Sequence, residues 1–226
     1  MLGLFRKKPK PAFDEIREFL FGDVPLSDWK ARDGSGDAAE PWSSFESARI
    51  ALERGDSMGA AKELRRVASL PDLEARQYLQ TWHFLRLLGV HPDANEGKRV
   101  RGVVLEVHLS DGLDTLAAYS DHTARYINHG GRLIVWEMPD DFVATLIDEL
   151  LLTGQLVANV IGRWEEPRRA APPKGHVRLN MLTASGLHFG EGTLDALGAD
   201  PMGGPVIAAG ASLMKALIER AEATTA

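Results

Sequence analysis

The stretch that decides the fold is residues 103–109, Val103-Val104-Leu105-Glu106-Val107-His108-Leu109. Apolar residues stand at every second position from Val103, and the positions between them include Glu106 and His108. A period of two places successive side chains on opposite faces of a β-strand. The segment therefore predicts a strand with one buried face and one polar face.

Further predicted strands follow this segment in the chain and are joined by short turns. Residues 116–120, 124–128 and 133–137 are apolar-rich, and turn dipeptides such as Asp121-His122 and Gly130-Gly131 separate them. Connections this short cannot cross over to a parallel neighbour. The pattern predicts an antiparallel meander of four strands, and residues 177–181 and 187–189 predict a fifth and a sixth strand.

Two helices complete this part of the chain. Pro139-Asp140-Asp141 begins a helix whose apolar stripe continues to residue 161, and a last helix follows residues 200–205. The order of four strands, helix, two strands and helix predicts an α+β domain over residues 102–226, with helices on one face of an antiparallel sheet. This outline is similar to profilin-like folds such as the longin and roadblock modules, whose order of elements differs.

Residues 43–90 have a helical period instead. Gly55-Asp56 and Pro71-Asp72 divide this region into three predicted helices. The pair over residues 44–70 resembles one tetratricopeptide helix pair, with small residues where its helices touch. The resemblance implies a protein-binding role, but such repeats need about three copies to stack into a solenoid. We therefore expect a helical hairpin that docks on a neighbouring element.

The first 42 residues read as a basic tail, a short helix over residues 12–21 and a flexible linker. Asp33-Gly34-Ser35-Gly36-Asp37 is rich in turn formers, and Trp29 and Trp42 flank it. Tryptophan buries a large surface, so we expect both rings to hold the linker against the body. The tail is either a solvated terminus or a weak anchor on an anionic membrane surface. A polar connector, residues 91–101, separates the helical region from the α+β domain.

Composition narrows the function classes. The 226 residues carry 26 basic and 32 acidic side chains, a formal charge of −6, which argues against a nucleic-acid partner. Cysteine is absent, which excludes disulfides and thiolate metal sites. In a secretory signal the basic residues precede a long apolar run, whereas here the apolar residues come first and the basic residues follow. The sequence also contains no run of about 18 apolar residues, the length that predicts a membrane span. We expect a cytoplasmic protein.

One candidate site is the polar face of the predicted sheet. Glu106 and His108 share a face of the first strand, Arg178 and Asn180 share a face of the fifth, and His188 on the sixth joins them if the strands are neighbours. A carboxylate, imidazoles, a guanidinium and an amide suit acid–base catalysis or anion binding. The alternative is an ordinary solvated face of an antiparallel sheet.

Other candidates are loops. Gly203 and Gly204 present backbone amides at a helix start, where an anion binds or a helix simply begins. Trp164, Arg168 and Arg169 lie in the long loop of residues 162–175 and either contact a partner protein or pack on the core. The seven histidines show no metal-ligand spacing, so no metal or other cofactor is expected.

Weighing these features, we expect a non-enzymatic protein–protein interaction protein of the adaptor or scaffold type. An open sheet edge needs covering, and a second copy of the chain can cover it, so we also expect a homodimer. The alternative is an enzyme that binds a small molecule or anion at the polar sheet face, with Glu106 and His108 as acid–base groups and Arg178 as the anion clamp. A third interpretation is peripheral membrane association through residues 1–10.

Overall fold

The structure, a computed structural model, describes residues 16–29 and 39–225. The predicted basic tail, Phe13 and the turn-rich stretch 33–37 lie outside these residues. The elements follow in the order α1 Trp42–Glu53, α2 Ser57–Ala68, α3 Ala75–Leu87, α4 Ala94–Lys98, β1 Val100–His108, β2 Leu113–Tyr119, β3 Ala124–Ile127, β4 Leu133–Trp136, α5 Asp141–Val160, β5 His176–Thr183, β6 Gly186–Thr193, α6 Leu194–Ala199 and α7 Gly203–Thr225.

The strands form a six-stranded antiparallel sheet in the order β4-β3-β2-β1-β5-β6. The meander from β1 to β4 lies on one side of β1, and β5 and β6 lie on the other. This confirms the predicted α+β class. The register places Glu106 opposite Arg178, so the predicted polar residues of β1 and β5 do meet.

Helices α5 and α7 cover one face of the sheet. The alternating residues Val103 and Leu105 of β1 pack there with Ile147, Leu150 and Leu213 of the two helices. Both helices approach the sheet through glycines: a Cβ on Gly154 would stand 2.8 Å from Val103, and one on Gly210 would stand 2.5 Å from Leu105. The close approach removes apolar surface of both layers from water.

The opposite face is not solvated, contrary to the expectation of a wet face. Residues 16–29 and α3 cover it, and Leu20, Phe21 and Leu79 pack against Val104 and Tyr119 of the sheet. The hydroxyl of Tyr119 donates a hydrogen bond to the backbone oxygen of Leu20 at 2.7 Å. Sequence periodicity missed this layer because its covering residues come from two other segments, and the period of those segments does not show which surface they pack on.

Helices α1, α2 and α3 form the predicted helical region around a second core. Asp56 ends the turn between α1 and α2 by accepting a hydrogen bond from the Gly59 amide at 2.8 Å, which caps α2. Trp29 and Trp42 both pack here, with ring centroids 5.4 Å apart. The α1–α2 pair is thus a hairpin docked on α3, and α3 connects this core with the sheet.

Within the described residues, the N-terminal helix ends before residue 21, the predicted boundary. Helical conformation occupies residues 16–18, and the chain turns over residues 19–22 instead of continuing as helix. Gly22 makes the turn with a φ of +62°, and a Cβ there would stand 2.8 Å from Leu79 Cβ. The turn brings Leu20 and Phe21 onto the sheet.

Helix α5 is long and apolar enough to cross a membrane by length and composition, and it is the one such helix in the described ranges. A core helix of a soluble protein passes the same criterion. Here its inner side, including Val143 and Ile147, is fully buried against the sheet.

Candidate functional site

The predicted polar sheet residues form a sealed cluster. Glu106 is completely buried and accepts hydrogen bonds from Arg17 Nε at 2.7 Å and from Asn180 Nδ2 at 3.2 Å. A second Arg17 nitrogen also binds Glu106, and Arg178 lies 3.7 Å from its other oxygen. Arg17 belongs to the N-terminal segment. The sequence gives no sign that it pairs with Glu106, because only the fold places Arg17 over β1.

The cluster continues outward as a chain of ion pairs that we call the clasp, comprising Arg17, Glu18, Asp23, Glu106, Arg168, Arg178 and Glu191. Arg168 donates to Asp23 and to Glu18 at 2.6 Å each, and its guanidinium stacks 4.0 Å from the Phe21 ring centroid. Burial alone would lower the pKa of Arg168, but its hydrogen bonds to Asp23 and Glu18 raise it. The clasp joins three separate segments: residues 16–29, the loop 162–175 and the sheet.

In this arrangement Glu106, Arg178 and Asn180 bind other residues of the protein and are not open to solvent. Glu106 is 0% exposed and Arg178 only 3% exposed. Buried charges of opposite sign are held by mutual pairing and hydrogen bonds. Three of the five predicted residues therefore meet, but within the described residues they face protein, and neither cleft described below is lined by Glu106.

The two predicted histidines do not join the cluster. His108 ends β1, where its Nδ1 lies 2.8 Å from the Pro172 oxygen of the covering loop. His188 lies opposite Met181 in the register and so faces the α5 side of the sheet, a correction to its predicted face. The register pairs Phe189 with Asn180, so Phe189, not His188, shares the clasp's face.

The amides at the start of α7 already have partners. Asp200 Oδ1 accepts from the amides of Met202 and Gly203 at 2.8 and 2.7 Å, and the Asp200 backbone oxygen accepts from Gly204 at 2.9 Å. These backbone hydrogen bonds lower the pKa of Asp200. Gly203 and Gly204 therefore begin a helix, and their amides do not present a free anion site.

The predicted partner loop packs back on the protein. The Trp164 amide donates to the Leu187 oxygen at 2.6 Å, and its ring lies edge-on to Phe189 at 5.1 Å. Arg169 stacks over Trp164 at 4.7 Å, whereas Arg168 belongs to the clasp. Of the three predicted interaction residues, Arg169 alone is exposed. The loop thus serves as a cover for β6 and a wall for the neighbouring cleft.

Two adjoining cavities open at this end of the molecule. The larger cleft, about 510 Å³, lies between residues 21–23, α3, the loop 162–167 and the β5–β6 turn. The smaller hollow, about 440 Å³, lies between residues 91–98, the end of α5 and His188. His91, Arg163 and Ser185 line both, so the two spaces are neighbours. A total volume of this size suits a small organic ligand.

Arg86 is the unusual group in the larger cleft. It donates to the Ala184 backbone oxygen at 2.6 Å, and no carboxylate among residues 16–29 and 39–225 forms an ion pair with it. Burial and the nearby charge of Arg163 lower the pKa of Arg86 to about 10. Burial and the charge of Arg86 likewise lower the pKa of His83. The cleft therefore holds a desolvated cation inside a protein of net charge −6.

His188 marks the smaller hollow. The residue is 3% exposed, its Nδ1 lies 3.1 Å from the Ile161 oxygen, and its buried Nε2 has no hydrogen-bond partner. Burial lowers the pKa of His188, and the charges of Lys98 and Arg163 act in the same direction. Sequence reasoning named His188 only for the polar sheet face and missed Arg86, since α3 has the pattern of an ordinary core helix.

Arginine and histidine side chains, Arg86, Arg163, His91 and His188 among them, line these two spaces. No group of three or more His, Asp or Glu side chains in the described part of the chain is placed to hold a metal ion. Comparison with protein-family models, with curated proteins and with solved structures gave no match. The lining residues themselves are therefore what indicates a function.

Proposed function

We propose that the protein binds a small organic or inorganic anion in the larger cleft. The observation that carries the proposal is Arg86: a guanidinium that is largely removed from water, without a carboxylate partner, at the wall of an open space. Buried charges in proteins are normally paired. An anion in the cleft supplies the missing partner. This moves the anion-binding alternative from the sheet face to the cleft beside it.

The energetic cost of Arg86 supports a ligand. Its pKa falls from 12.5 to about 10, and each pKa unit corresponds to about 1.4 kcal/mol. The charged side chain thus costs the fold at most about 3.5 kcal/mol. Because the group stays charged at neutral pH, an anion beside it recovers part of this cost. Functional sites commonly retain such a cost.

Two of the three acidic residues that line the larger cleft are engaged in ion pairs, and an acidic residue of the smaller hollow is engaged in backbone hydrogen bonds. Asp23 pairs with Arg168 in the clasp, and Glu165 pairs with Arg163 at 3.1 Å. Asp93 accepts hydrogen bonds from two backbone amides at the start of α4. Most of this fixed negative charge is therefore balanced locally. Asp23 attracts Arg86 from beyond ion-pair distance, so an incoming anion meets Arg86 as a cation that no carboxylate of the described residues contacts.

The test is a calorimetric titration of the purified protein with inorganic phosphate at low ionic strength. We expect saturable binding to the wild type and at least a tenfold loss for Arg86→Gln, since hydrogen bonds to charged groups contribute about 1.5–3 kcal/mol. Arg65→Gln is the matched control, because Arg65 is exposed at the end of α2. Equal affinities for both variants would contradict the proposal, as would the absence of saturable binding to wild type.

A second candidate function, self-association, has its own observation. The outer side of α5 carries Leu152, Leu156 and Val160, which are 63%, 55% and 71% exposed. Their spacing of four places them on one stripe of the helix. In an antiparallel pair centred on Leu156, Leu152 of one copy meets Val160 of the other. We propose a second copy of this chain as the occupant, consistent with the expected homodimer.

Light scattering coupled to size exclusion tests the pairing. We expect a wild-type dimer at micromolar concentration and a monomer for Leu156→Glu. Met58→Glu is the control, because Met58 is 85% exposed on α2, away from α5. A monomeric wild type, or a dimer that Leu156→Glu leaves intact, would refute this interface.

A further inference from the structure

The larger cleft holds a second titratable group beside Arg86. His83 lies three positions before Arg86 on α3, and residues at this spacing are neighbours on a helix surface. Leu79 and Leu87, four positions to either side of His83, line the same cleft, so one face of α3 forms this wall. The side chains of His83 and Arg86 are both partly exposed, and a ligand in the cleft can contact both.

The imidazole of His83 has no polar partner of its own. It packs edge-on against the Phe84 ring, with the centroids 5.7 Å apart, and it forms no hydrogen bond or ion pair within the described residues. Arg86 likewise contacts no carboxylate in that part of the chain. Two nitrogen-bearing side chains on one helix face therefore remain able to donate to a ligand in the cleft.

The charges around His83 come from three elements. Burial contributes most to the lowered pKa of His83, and the charge of Arg86 on the same helix acts in the same direction. Asp23 of the N-terminal segment raises the pKa of His83, and Arg168 of the loop lowers it, but these two residues form an ion pair with each other. The other charged or titratable residues that line the cleft are all exposed: His91, Arg163, Glu165 and Glu166.

An anion beside Arg86 would change this balance. A negative charge close to a histidine favours the protonated form of the ring. The anion would therefore offset the repulsion from Arg86 and raise the pKa of His83. A neutral imidazole donates one hydrogen bond, whereas the protonated ring donates from both nitrogens. Protonation would give the cleft a second cationic donor, one helix turn from Arg86.

We infer that the ligand's anionic group is a tetrahedral oxyanion with two negative charges, the chemistry of a phosphate group, and that His83 takes up a proton and binds it together with Arg86. This inference rests on the proposed anion binding. A carboxylate has one charge and would leave one of the two cations unbalanced. The charge of Arg163 also acts on Arg86, and this further favours a doubly charged anion.

The experiment is a calorimetric titration of the full chain with sulfate at pH 6, 7 and 8, in two buffers that differ in ionisation enthalpy. Sulfate keeps two charges over this range, so the difference in heat between the buffers counts the protons that the protein takes up. We expect proton uptake at pH 7 and about a three- to tenfold gain in affinity from pH 8 to pH 6. At pH 6 and matched ionic strength, acetate should bind at least about tenfold more weakly than sulfate.

The variant His83→Gln keeps a polar side chain that cannot take up a proton near neutral pH. We expect it to lose the proton uptake and most of the pH dependence of sulfate binding. His129→Gln is the matched control, because His129 is exposed in the turn between β3 and β4. In the wild type, the pH titration of the His83 ring resonances gives a readout that does not depend on a variant folding. Saturating sulfate should raise the pKa of His83.

The two possible sources of such a group are separated by comparing inorganic phosphate with phenyl phosphate. Tighter binding of phenyl phosphate would assign the group to an organic ligand, for which the apolar side chains of the cleft, Leu87 among them, supply contacts. Binding that is equal or tighter for inorganic phosphate would assign it to the free anion.

The outcomes separate this inference from the proposed function. If neither sulfate nor phosphate binds, the anion-binding function fails and the inference fails with it. If both bind through Arg86 without proton uptake, or with uptake that His83→Gln leaves unchanged, the inference alone is overturned. Proton uptake that disappears in His91→Gln instead would also overturn it, since His91 is the other histidine of the cleft. Acetate that binds as tightly as sulfate would overturn the assignment of two charges.

Discussion

Removing the charge of Glu106 tests the assignment of the clasp as a structural element. In Glu106→Gln, one oxygen still accepts from Arg17, but the new amide nitrogen faces the Asn180 donor and lies near Arg178. The change removes an attraction between buried charges and brings donors together. Breaking a buried ion pair by removing one partner costs about 3–5 kcal/mol, so we expect a loss in that range.

Urea unfolding at pH 7 measures this loss as a lower transition midpoint with an unchanged slope. The control is Glu53→Gln on α1, whose carboxylate is 61% exposed in an ion pair with Arg49. Surface pairs contribute about 0–1 kcal/mol, so the control should differ little from wild type. A loss below about 1 kcal/mol for Glu106→Gln would refute the structural assignment, because it would mean that the pairing is not needed. An increase in stability would instead indicate a strained functional group.

Three further predictions concern packing, a buried hydrogen bond and pH. Gly210→Ala should cost about 1–3 kcal/mol because its Cβ would collide with Leu105, whereas Gly198→Ala, with open space at its Cβ, should be neutral or slightly stabilising by urea unfolding. Tyr119→Phe should cost about 1–3 kcal/mol, since it leaves a buried carbonyl oxygen without its donor. The lowered pKa of His188 means that the unfolded chain binds the proton first as pH falls below about 6.5. The wild type should therefore lose stability between pH 6.5 and 5, and His188→Phe should reduce that slope in urea midpoints measured across the range.

Much of the sheet was accessible to sequence reasoning, because local patterns specify it. Alternation at Val103–Leu109 predicted β1, and the dipeptide Gly130-Gly131 placed the turn before β4. The predicted sixth strand, residues 187–189, was too short, since β6 extends over Gly186–Thr193. Its glycines, including Gly190 and Gly192, hide the alternation that apolar residues would show. The one-turn helices α4 and α6 were missed because they are too short to show a period.

The site was less accessible, because its chemistry depends on long-range contacts. Glu106 and Arg178 were expected on one face only if their strands were neighbours, a condition that the register meets, yet nothing local says that Arg17 closes over them from 89 residues away. His188 was placed on the wrong face because one residue of shift in a strand reverses every side chain. Arg86 carries no signal at all: an arginine near the end of a helix is ordinary in sequence, and its missing carboxylate becomes visible only in three dimensions.

The clasp and the larger cleft share two residues, and this has a consequence for binding. Asp23 and Arg168 form an ion pair in the clasp and also line the cleft. Docking of residues 16–29 therefore builds one wall of the binding space. A ligand that binds only the docked state stabilises that state by mass action. The buried charges of the clasp thus pair with one another and hold the N-terminal segment in place as a wall of the cleft. Arg86 has no carboxylate partner among the described residues, so its charge remains able to interact with an anion in that cleft.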